Sequence, residues 1–168
     1  MRRTVVIWAS LAALAAPATA FALHLGPGDG TLVVQNGSAP KGVAVVTLAI
    51  TGVAIGQISG YGRVVIDDPT GDHIPEVTNY VWHRSSGTEE TWAGNNFRFR
   101  AVGGTYKITV YGQDIDLVAS GQGSVVLTGW PDAPATDGHY SLNGQDFRSL
   151  PATPTKLLRI FAPTSATG

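Results

Sequence analysis

GVAVVTLAITGVAIGQISGYG, Gly42 to Gly62, runs for twenty-one residues without a charge, between Lys41 and Arg63. On length alone it can cross a bilayer as a helix, which needs about 20 apolar residues. Two features oppose that reading. Gly52, Gly56 and Gly60 interrupt the run, and each weakens a helix by about 1 kcal/mol relative to Ala. A similar phrase also occurs further on, with charges in it. Gly52, Ile55, Ile58, Gly60, Gly62 and Val64-Val65-Ile66 are echoed in order by Gly112, Ile115, Val118, Gly121, Gly123 and Val125-Val126-Leu127, with one residue inserted. Lys107, Asp114 and Asp116 accompany the second copy, and a bilayer core does not hold such groups cheaply. The run therefore reads as a doubly buried pair of strands, part of a duplicated β unit with copies at about 42–67 and 104–128.

Alternation supports strands on either side. Tyr106, Ile108 and Val110 interleave with Lys107, Thr109 and Tyr111, while Phe97 and Phe99 interleave with Arg98 and Arg100. A period of two places each set on one face of a strand. Gly60-Tyr61-Gly62 and Gly121-Gln122-Gly123 read as corners where positive φ lets the chain turn. Asn36-Gly37 and Asn143-Gly144 are hairpin signals, the second within a C-terminal hairpin at about 139–149. GWPDAPATDG, residues 129–138, is a Pro-rich loop. Residues 155–161 read as one more strand, followed by a frayed tail to Gly168. The expectation is a single compact all-β domain over residues 23–154, either a β-sandwich or a short β-solenoid.

The N-terminus reads as an export signal. Arg2-Arg3 precede the apolar run Thr4–Ala16, and Ala18-Thr19-Ala20 or Ala20-Phe21-Ala22 offers the small residues that a signal peptidase accepts. Removal of residues 1–22 leaves nine Lys and Arg against twelve Asp and Glu, a formal charge of −3. No basic patch suits a run of phosphates, so nucleic acid is not an expected partner. The chain contains no Cys, which excludes disulfides and thiolate metal sites, and an exported domain of this kind must hold together by burial.

Chemistry is sparse. No Gly-x-Ser-x-Gly elbow is present, and Glu89-Glu90 fall on opposite faces of a strand, unlike a glycosidase pair. No catalytic residues and no cofactor are expected. Asp67, Asp68, Asp72 and Glu76 in DDPTGDHIPE form a weak Ca²⁺ candidate whose spacing fits no EF-hand loop; Asp68-Pro69-Thr70-Gly71 reads equally as a turn. NYVWHRSSGTEETWAGNNF, Asn79 to Phe97, holds the most promising side chains. Tyr80 and Trp82 are expected on one face with Trp92 across the turn, either as core or as an aromatic platform for sugar rings.

The C-terminal DGHYSLNGQDFRSLP, Asp137 to Pro151, after glycine-punctuated strands, resembles a pattern in small exported bacterial proteins of unassigned function. That resemblance implies a shared β fold and export, and it carries over no catalytic residue. The expected function is a non-enzymatic module at the cell envelope or outside the cell. It would act by structural or adhesive contact with an envelope or surface protein, with self-association through open sheet edges. The alternative is binding of cell-wall glycan through Tyr80, Trp82 and Trp92.

Overall fold

The long strands of this chain bury roughly alternate residues, and the burial follows the apolar pattern closely. Phe97 and Phe99 are sealed from solvent while Arg98 and Arg100 face it. The computed structural model describes residues 28–37, 44–71, 73–129, 138–151 and 158–160. The signal segment, residues 42–43 of the first copy, Asp72, most of the Pro-rich loop and the tail lie outside the described residues.

Among the described residues nine strands form one open antiparallel sheet and no helix occurs. They are β1 (Gly30–Gly37), β2 (Ala44–Asp67), β3 (Glu76–Thr78), β4 (Trp82–Ser86), β5 (Glu89–Gly112), β6 (Ile115–Thr128), β7 (His139–Leu142), β8 (Arg148–Ser149) and β9 (Leu158–Ile160). The sheet order is β3-β5-β2-β6-β1-β7-β8, with β4 added to β5 and β9 to β6. The expected all-β class holds, with the strands joined in one sheet.

The ribbon of β2 and β5 organises the molecule. Each strand has 24 residues, and the pair runs from Ala44↔Gly112 to Asp67↔Glu89 with register shifts between Gly52 and Val53 and between Ile58 and Tyr61. Drawn straight, it would reach about 80 Å at about 3.3 Å per residue. Instead it coils back on itself. Gly62–Asp67 of β2 pair a second time, on their other edge, with Gly112–Lys107 of β5. The stretch Lys107–Gly112 therefore has β2 on both sides, Ala44–Ala49 on one and Gly62–Asp67 on the other. Coiling brings Val46 and Leu48 into one core with Val64, Ile66, Ile108 and Val110, and β6 and β1 add Leu117, Ala119, Leu32 and Val34.

Glycines make the coil possible by close approach. Gly52 (φ 148) and Gly121 (φ 142) stand opposite each other between β2 and β6. A Cβ on Gly52 would run into the carbonyl oxygen of Ser120, and one on Gly121 into that of Thr51. At the second junction a Cβ on Gly62 would meet the Tyr111 carbonyl and the Ile58 side chain.

Several expectations need correction here. The Gly-x-Gly elements are not corners, because β2 and β6 run through them unbroken. The two copies do not share a backbone path either. Gly52–Ile66 lie within β2, whereas Gly112–Leu127 begin at the end of β5 and cross the Gln113-Asp114 turn into β6. Their glycines face one another across strand pairs, Gly52 against Gly121 and Gly62 against Gly112, so each needs the other bare. The uncharged run is not doubly buried. It is the central strand β2, with one face in the core and the other partly open at Thr47, Ala49 and Thr51. Asn36-Gly37 make no hairpin: Asn36 (φ 50) sits at an irregularity inside β1, which pairs with β6 and β7 and not with β2. Asn143 (φ 54) and Gly144 (φ 72) do turn as expected, closed by Gln145 N–H donating to the Leu142 carbonyl at 3.1 Å.

A groove on the outer face of the coiled ribbon: candidate functional site

The second pairing of β2 with β5 builds a face that neither strand has alone. In an antiparallel sheet, residues directly opposite each other share a face. Register therefore lines up three rows across four strand segments. The first is Trp82, Ala93, Arg63 and Tyr111; the second is Arg84, Thr91, Val65 and Thr109; the third is Ser86, Glu89, Asp67 and Lys107. The even-numbered neighbours Val64, Ile66, Trp92, Ile108 and Val110 are buried, which sends these odd-numbered residues of β2 and β5 outward. All residues of the three rows except Ala93 line a groove of about 500 Å³.

Its floor and walls differ. Thr91 and Val65 are small and keep the middle low. Trp82, half exposed, stands on the β4 side. On the other side the Arg63 guanidinium lies over the Tyr111 ring, 4.4 Å from its centroid, a contact worth about 0.5–1 kcal/mol at an exposed site. Two strand spacings, about 10 Å, separate Trp82 from Arg63. At the far end Thr88 donates its hydroxyl to Asp67 at 2.7 Å, with Glu89 and Lys107 on either side of Asp67 in the register.

The aromatic segment is split by its own hairpin. Gly87 (φ 63) turns the chain between β4 and β5, so that Trp82 pairs with Ala93 and His83 with Trp92. Trp82 lines the groove. Trp92 points to the opposite face and is 4% exposed, within the core. His83 stacks on Trp92 at 5.0 Å and 14°, and its Nε2 meets Glu90 Oε2 at 2.9 Å. Tyr80, partly exposed, sets its ring edge against His83 at 5.9 Å. The three aromatics singled out by sequence thus do not form one platform: Tyr80 and Trp92 meet through His83, and Trp82 stands apart from them. Glu89 and Glu90 occupy opposite faces, as alternation requires.

The acidic segment acts as a turn. Asp68 is buried, and its Oδ1 accepts from Thr70 N–H, Thr70 Oγ1 and Gly71 N–H while Oδ2 accepts from His73 N–H, at 2.8–3.1 Å. Burial pushes the carboxyl up, but these hydrogen bonds outweigh it and hold Asp68 below the ordinary carboxylate value. Asp67 projects into the groove, Glu76 pairs with Arg100 at 3.6 Å, and Asp72 lies outside the described residues. The candidate Ca²⁺ ligands therefore do not converge, and no cluster of three metal-capable side chains occurs among the described residues.

Arg63, Tyr111, Arg84 and Lys107 were not visible as a set in sequence. Their alternation was legible, but the juxtaposition of Arg63 with Tyr111 exists only because the ribbon pairs with itself twice. Comparison with protein families, with curated proteins and with solved structures finds no match to this chain.

Proposed function

We propose that this chain is an exported, non-enzymatic β module that binds glycan in the groove of its coiled ribbon. Trp82 carries the reading: a large aromatic, half exposed, stands over a low floor and faces a polar wall of Arg63 and Tyr111. Sugar rings stack on such faces through their C–H groups while hydroxyls reach flanking polar side chains. Export follows from the N-terminal signal pattern, with cleavage after Ala20 or Ala22. No step of bond making or breaking is assigned to any residue.

Retention on insoluble cell-wall polysaccharide tests this reading. Wild-type protein is retained, and Trp82→Ala passes through while keeping its folded circular dichroism spectrum. Equal passage of both proteins over a broad set of polysaccharides overturns it. A second reading, adhesive association by strand addition, draws on a different observation. Among the described residues β4 pairs only with β5, all five of its residues are exposed, and Val81 beside it is 79% exposed; open edges of this kind template further strands. Concentration-dependent association in sedimentation that survives Trp82→Ala would favour that reading.

A further inference from the structure

The groove is polarised along its length, and that polarity specifies its ligand more narrowly. Both guanidiniums, Arg63 and Arg84, lie in the two rows nearest Trp82, and those rows contain no carboxylate. Asp67 and Glu89 lie together in the third row, where Lys107 stands opposite Asp67 and leaves that row with one net negative charge. Among the described residues neither arginine has a carboxylate within 4.0 Å, although the mature chain carries more acid than base. Two open guanidiniums flanking a Trp on an otherwise acidic protein form a local site of opposite sign.

We infer that the groove takes an anionic saccharide, with the sugar bearing a carboxylate or phosphate stacked at Trp82 and its acid held by Arg63 and Arg84, and a neutral sugar beside Asp67 and Glu89. This rests on the glycan reading above. Arg63 is held at the groove for the task by its contact with the Tyr111 ring, 4.4 Å from the centroid. A carboxylate or phosphate accepts two such N–H groups side by side. The carboxylates of the third row repel a second anion there and accept hydrogen bonds from sugar hydroxyls. The preferred polymer alternates charged with neutral sugars, and a uniformly charged rod fits poorly.

The test uses three matched polymers with the purified full chain. The first alternates uronate with a neutral sugar. The second is the same polymer with its carboxyl groups reduced to alcohols, and the third carries phosphodiesters between neutral sugars. Binding is followed by Trp fluorescence and by affinity electrophoresis at two salt concentrations. The expected result is tighter binding of the first or third polymer than of the reduced one by tenfold or more, weakening with salt. Arg63→Gln and Arg84→Gln should each lower the affinity for the acidic polymer by about tenfold, the scale of one charge-assisted contact, and leave the reduced polymer unaffected. Which of the two acidic polymers binds identifies the acid. Equal binding of acidic and reduced polymers, unchanged by the Arg substitutions but lost in Trp82→Ala, overturns the anionic inference and keeps the glycan reading. Binding of none of the three, nor of any neutral wall polysaccharide, overturns both.

Discussion

Two tryptophans ten residues apart do opposite work. Trp92 is in the core under His83, and Trp82 stands in a groove. Truncating a buried aromatic costs about 3–5 kcal/mol, so Trp92→Ala should lower the urea midpoint sharply or prevent folding. Trp82→Ala should shift the midpoint by less than about 1 kcal/mol equivalent, since exposed side chains contribute little. Near-equal shifts in the two variants would contradict the register of the β4–β5 hairpin. Asp68 supplies the second prediction at this scale. Its carboxyl is held below its ordinary value by four donors that outweigh the cost of burial. A depressed acid stabilises the fold above its unfolded pKa and loses that contribution as pH falls through the folded one. Asp68→Asn should therefore be less stable than wild type at pH 7 by about 1–2 kcal/mol, the range for hydrogen bonds to a charged group. The gap should narrow on acidification below about pH 4, as wild type loses its advantage. Denaturant midpoints of both proteins across that range decide it, and a gap that widens in acid would refute the assignment.

The elements show what a sequence can and cannot disclose. Alternation at Phe97–Arg100 and Tyr106–Tyr111 was legible because it is local: a strand's two faces are set by a period of two and by nothing distant. The Asn143-Gly144 turn was legible for the same reason. The path through Gly60–Gly62 and Gly121–Gly123 was not, because glycine permits both a turn and a close approach, and only the partner strand decides which. Trp92's side was hidden likewise. It follows from a turn at Gly87, and a slip of one residue there moves every later side chain to the other face. The site suffered most, since Arg63 and Tyr111 become neighbours through the second register of β2 on β5 and no spacing within either strand encodes it. The glycines can be tested directly. Gly121→Ala places a Cβ against the Thr51 carbonyl at a φ of 142°, so it should cost about 2 kcal/mol or more through overpacking and backbone strain. Gly71 also has positive φ (66°), but its Cβ position is open. Gly71→Ala should cost only about 1 kcal/mol, the price of the left-handed conformation alone. Comparable losses in the two variants would show that close approach is not what the β2–β6 crossing demands.

At the scale of the whole molecule, one core joins β1, β2, β5, β6 and β9, and no disulfide assists it. The groove is a by-product of the same coil that closes this core, so groove and core should form and melt as one unit. Trp82 fluorescence in a background with Trp8, Trp92 and Trp130 replaced by Phe and far-ultraviolet circular dichroism should give coincident urea transitions, the mark of a two-state domain. The order of assembly follows from chain separation. The nearest pairing in the ribbon joins Asp67 to Glu89, while the far end must bring Ala44 to Gly112. The second register adds nothing until that far end has coiled back, so most loop entropy is lost before the core rewards it. Refolding should accordingly fall in the millisecond-to-second range typical of non-local β topologies. Gly62→Ala, at the junction where the ribbon meets itself, should slow refolding and weaken glycan retention together, because both require the coil. Stopped-flow refolding combined with polysaccharide retention of the same variant measures the two effects. A variant that folds slowly to a stable state yet is retained like wild type would separate the groove from the coil and refute the account of how this site is built.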